Sequence, residues 1–161
     1  MQNYELSPGL HQKRFLIGSF LHSINLPGSD DPKLLLKQRV TNHFLEAMVL
    51  ELLIKMLFEM DQRQDAPYTH QLPKIYEKLN KATQAVIEES YDKVRHRTQK
   101  MFSRSQIPDV IIHPLDTILK ENEKLVKNFK YDAQATGSNP VFDNRFYKEI
   151  LSYIDHRMDE P

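Results

Sequence analysis

Apolar side chains recur along this chain with a helical rhythm from near the start to near the end. Leu10, Ile17, Leu21 and Ile24 stand at helical spacing with Leu16 and Phe20 beside them, so a first helix is predicted over about 9–24. The run Asn25-Leu26-Pro27-Gly28-Ser29-Asp30-Asp31-Pro32 breaks the rhythm and reads as a loop. A long second helix is predicted over about 33–60. Phe44, Met48, Leu52 and Met56 form one stripe on it, and Leu45, Val49, Leu53, Leu57 and Met60 widen the stripe. Leu50, Ile54 and Phe58 carry apolar surface further round. A helix so apolar is either the central pillar of a bundle or also faces a second subunit.

The same reading continues downstream. A short helix is predicted over 70–79, with Leu72, Ile75, Tyr76 and Leu79 on one face and Thr69 as its cap; Pro73 leaves open a start nearer Leu72. A fourth helix over about 81–102 carries Ile87, Tyr91, Val94, Thr98 and Met101 inward. Pro114 opens a fifth, running to about 130, with Leu115, Ile118, Leu119, Asn122, Leu125, Val126 and Phe129 inward. Asn139-Pro140 begins a sixth, ending near Met158, along which Phe142, Phe146, Ile150 and Ile154 repeat every four residues. Val110-Ile111-Ile112 is too short a strand fragment to change the class. The expected fold is all-α, an antiparallel bundle of about five to six helices. The expected organisation is a single domain over 1–161, with its core at about 34–158 and an N-terminal helix and loop over 1–32.

Composition narrows the chemistry. The 161 residues suffice for one well-buried core. Cys is absent, which removes disulfides and thiolate zinc sites. Lys plus Arg and Asp plus Glu are both 22, so nucleic-acid binding would have to rest on local charge. The 4 Gly are scattered, and none can build a phosphate-cradling loop. The stretch 45–60 is interrupted by Glu46, Glu51, Lys55 and Glu59, so it is not a membrane span. The polar first ten residues hold no leader core, and a cytoplasmic address is expected.

Candidate sites follow from spacing. No Glu has a His three residues later, and the 7 His form no tract, so no metal and no cofactor is expected; His43 reads as a hydrogen-bonded structural histidine. No nucleophile elbow occurs either. Glu51, Lys55 and Glu59 are spaced four apart. The reading the spacing favours is an exposed charged ridge, and the alternative is a polar pocket in the bundle. Asn122 falls among apolar neighbours, where its amide needs partners. Lys93, Arg97, Lys100 and Arg104 form one stripe that can meet phosphates. The favoured reading there is a solvated helix face suited to the helix dipole, because no aromatic is interleaved to stack bases.

The stretch 46–79, with Glu51 and Lys55 embedded in a long apolar helix, then a polar loop, then Thr69, His70, Leu72, Tyr76 and Leu79, resembles the HEPN superfamily of helical nucleotide-binding domains. Asn128-Phe129-Lys130-Tyr131 looks like a variant of that family's Arg-Tyr helix end. The resemblance covers roughly 34–154. It implies an antiparallel bundle, often a homodimer, with roles that include ribonuclease toxins, defence components and non-catalytic scaffolds. Its ribonuclease branches use Arg, four to six residues, then His, for which the formal match is Arg63 and His70. The leading expectation is a non-catalytic or accessory binding module, dimeric, with RNA, a nucleotide or a protein as partner and no membrane. The alternatives are a metal-independent endoribonuclease using Arg63 and His70, and a purely structural interaction bundle. On the non-catalytic reading, His70 bonds to backbone at the start of its helix.

Overall fold

The computed structural model describes residues 8–24, 28, 30–104, 113–128 and 144–159. They form six helices and, among the described residues, no strand: α1 (Pro8–Ile24), α2 (Pro32–Gln62), α3 (Leu72–Tyr76), α4 (Lys81–Arg104), α5 (Leu115–Asn128) and α6 (Asn144–Asp159). The fold is an antiparallel all-α bundle, as the rhythm of apolar positions predicts. None of these helices is long and apolar enough to cross a membrane.

Helix α2 is the pillar. Asp31 caps it by accepting the backbone N–H of Lys33 at 2.8 Å, and Pro32 occupies the first turn, where its missing N–H costs nothing. Against it pack α1, α3, α5 and α6, while α4 lies on α6 and α3 on α5. Val49, Leu50, Leu53, Ile54, Met56, Leu57 and Phe58 are all buried around its circumference. Each such side chain contributes roughly 1.5–3 kcal/mol relative to exposure. Phe44, Leu45, Met48, Leu52 and Met60 of the same helix are part-exposed.

Polar ties lock the layers. Asp61, 1% exposed in its side chain, accepts from Arg157 of α6 at 2.8 Å, from the Thr83 hydroxyl of α4 at 3.0 Å and from the Asn80 backbone N–H at 2.8 Å. Arg14 of α1 grips Asp155 of α6 with two nitrogens, a geometry that holds its guanidinium above its ordinary pKa. Tyr147 of α6 donates to the Glu46 carbonyl at 3.4 Å, and the Tyr91 ring meets Phe146 edge-on.

One alternative is decided and two expectations are corrected. The short helix begins at Leu72, the later of the two starts left open, because Pro73 four residues into a longer helix would clash with the Thr69 carbonyl. Thr69 still accepts an N–H, but that of Gln71, in a local turn. Met101 is 59% exposed, so α4 turns its inward face to the core only as far as Thr98. Val110 to Ile112, Phe129 to Tyr131, and Asn139, Pro140 and Phe142 lie outside the described residues.

Candidate functional site

Glu51 and Lys55 stand one helical turn apart on α2 and so share a face. The ridge they form with Glu59 is not exposed. Glu51 is 4% and Glu59 6% accessible, and the Lys55 side chain is 14% exposed. The physical reason is the chain that follows α2: it turns back across this face instead of leaving it to solvent.

That segment, 63–71, is fastened by the two buried carboxylates. Glu59 accepts the Ala66 backbone N–H at 3.0 Å while both its oxygens meet Lys13 of α1 at 2.9 Å. Glu51 receives Lys55 at 2.7 Å on Oε1 and His70 Nδ1 at 2.9 Å on Oε2. A carboxylate only accepts, so Nδ1 is the nitrogen that donates. The His70 side chain is 40% exposed, so part of the ring stays open to solvent. His70 thus bonds to a side chain of α2, not to backbone as the non-catalytic reading of the sequence expected.

Arg63 is the C-cap of α2, in the left-handed region at φ 51°, and is exposed. It lies about 18 Å along α2 from Glu51, the residue that holds His70, by the helical rise of twelve residues. The structure therefore brings Glu51, Lys55 and His70 together and sets Arg63 at the other end of the loop within one chain.

The remaining candidates sit elsewhere. Asn122 is 0% exposed on α5; its amide donates to the Ala47 carbonyl at 3.1 Å, and its Oδ1 meets no donor. On α4, Arg97 and Lys100 are exposed, and Lys93 pairs with Glu89 at 2.8 Å, which raises the lysine and lowers the glutamate from their ordinary values. The Arg104 side chain lies outside the described part of the molecule. His43 packs near Glu46, with 3.6 Å between them. Among the described residues, no three His, Asp or Glu side chains converge as a metal site.

A cleft of about 290 Å³ opens between α3, α4 and α5, at Tyr76, Glu88 and Leu119, and its lining includes none of Glu51, Lys55 and His70. Sequence reasoning missed the anchoring of the loop and missed Tyr68, which the loop holds fully in solvent. The available signal was Pro67-Tyr68 inside an otherwise polar segment. What fold and site define is an all-α bundle with a half-buried Glu–Lys–His cluster. Neither protein-family models, nor characterised proteins, nor solved structures provide a match to this chain.

Proposed function

We propose that this chain is a HEPN-like, non-catalytic binding module that takes RNA through the outer face of α4. The observation that carries the reading is charge segregation. Residues 93–104 hold five Lys and Arg and no carboxylate, so the other 149 residues carry 17 basic against 22 acidic side chains. Val94 and Thr98 are buried while Lys93, Arg97 and Lys100 are exposed, so these three cations lie on the outer side of α4, Lys93 with Glu89 beside it. A local cationic face on a chain of zero net charge attracts phosphates without general adhesion to anions.

The test is an electrophoretic shift with a labelled single-stranded RNA at several salt concentrations. Binding weakens as salt rises, and Arg97→Glu with Lys100→Glu abolishes the shift while leaving the circular-dichroism spectrum unchanged. Salt-independent binding, or full binding by the double variant, would refute the reading.

A metal-independent endoribonuclease is the second reading, and one observation favours it. Glu51 holds the part-exposed His70 ring through Nδ1, in the manner of an oriented acid–base dyad. Arg63 would then have to come from a second copy, so this reading requires a homodimer. Chelator-resistant RNA cleavage that is lost in His70→Ala, from a protein that scatters light as a dimer, supports it. Absence of cleavage by the wild type removes it.

A further inference from the structure

Tyr68 is 106% exposed, yet it does not sit on a loose tip. The Thr69 N–H donates to the Pro67 carbonyl at 2.8 Å, which closes a γ-turn with Tyr68 at its apex. Positive φ occurs at Arg63 and not at Tyr68, so the turn is of the unstrained inverse kind. Two residues before the apex, Ala66 is tied to buried Glu59; two residues after it, His70 is tied to buried Glu51. Thr69 adds a bond to the Gln71 N–H. The backbone on both sides of the ring is therefore fixed to the pillar helix, while the ring itself packs on nothing that would reduce its exposure.

An aromatic ring held out by a pre-ordered turn loses little freedom when something stacks on it. Its surroundings identify what that is. Arg63, Gln64 and Asp65 are exposed on the same loop, and part-exposed His70 follows two residues after Tyr68. A protein hot spot needs an apolar, water-excluding surround, and this loop provides polar donors and acceptors instead. A single exposed ring on a loop of hydrogen-bonding side chains fits a nucleobase, whose face stacks and whose edge is polar.

We infer that Tyr68 is a stacking platform for an unpaired nucleobase, so that the RNA taken by this module is single-stranded. The inference rests on the RNA-binding reading and sharpens it. Bases in a duplex are closed into the helical stack and offer no face to an anchored tyrosine.

The chain contains no Trp, so Tyr68→Trp places a sole indole at this position without touching the core. Titrate that variant with a 20-nucleotide single-stranded RNA and with a blunt duplex of the same length. Indole emission is quenched by the single strand and not by the duplex. Tyr68→Ala lowers single-strand affinity about tenfold, and Tyr68→Phe retains it. If RNA binds and depends on Arg97 and Lys100 while the indole is silent and Tyr68→Ala is neutral, this inference falls and the RNA-binding reading stands. If no RNA binds at all, both fall. A blue shift of the indole that grows with protein concentration in the absence of RNA assigns the ring to contact between copies, and overturns the inference as well.

Discussion

His70 Nδ1 lies 2.9 Å from Glu51 Oε2, across nineteen residues of sequence and from loop to pillar helix. The carboxylate it meets is almost wholly buried and already holds Lys55. One glutamate thus fastens a loop and neutralises a lysine in the same place.

Glu51→Ala removes the acceptor of both. A fully buried pair broken on one side costs about 3–5 kcal/mol, and the partial exposure of Lys55 and His70 reduces this to about 2–3 kcal/mol. Glu51→Gln keeps an acceptor and costs about 1 kcal/mol less. Urea unfolding measures both; a Glu51→Ala variant within 0.5 kcal/mol of wild type, on the scale of ordinary surface changes, would show that the cluster does not clamp the loop.

The helices were legible because burial imposes a period that the sequence must carry. Ile87, Tyr91, Val94 and Thr98, or Phe146, Ile150 and Ile154, mark their inward face by spacing alone. Glu51 and Glu59 were not legible in the same way. Their four-residue spacing is equally that of a solvated ridge, and only the return of the loop over α2 decides between the two. Asp61 is a similar case: three elements, α4, α6 and the turn before α4, converge on it, and no local pattern reports a meeting of distant segments.

Burial also sets an alkaline limit. It raises Tyr91 to about 12 and holds Tyr76 and Tyr147 above their usual range. The folded pKa lies above the unfolded one, so the contribution is complete below pH ~10 and is lost as pH rises toward the folded value. Each tyrosine that ionises only in the unfolded chain costs about 1.4 kcal/mol per pH unit. Urea midpoints for wild type therefore decline between pH 10 and 12. Tyr91→Phe starts about 1 kcal/mol lower, because the hydroxyl's 2.6 Å bond to the His113 carbonyl is lost. Its decline over the same interval is shallower, and parallel slopes would disprove the assignment.

Arg63 ends α2 in a conformation that an L side chain adopts at a cost and glycine adopts freely. Arg63→Gly therefore raises stability by about 0.5–1 kcal/mol. If the guanidinium also helps hold RNA beside Tyr68, the same variant binds single-stranded RNA more weakly. Unfolding and shift assays on one preparation read both quantities. A less stable Arg63→Gly protein would mean that the contacts of the arginine side chain outweigh the backbone strain.

Asn122 gives the sharpest contrast between polarity and packing. Its side chain is fully enclosed, one amide hydrogen bond reaches Ala47, and Oδ1 remains unsatisfied. A buried acceptor without a donor costs about 1–3 kcal/mol, which offsets what the single bond contributes. Asn122→Leu is of similar size and replaces the half-satisfied amide with apolar surface. The Ala47 carbonyl keeps the α2 ladder as its own partner. Asn122→Leu is thus as stable as wild type or more stable by up to about 1 kcal/mol. Asn122→Asp places a charge beside a carbonyl in the same enclosure and costs about 3 kcal/mol or more at pH 7. Part of that loss returns as pH falls and the carboxyl protonates. Thermal unfolding of the two variants at pH 7 and pH 4 decides the matter. If Asn122→Leu is the more damaging of the pair at pH 7, the amide is doing something in the bundle that a single hydrogen bond to Ala47 does not describe.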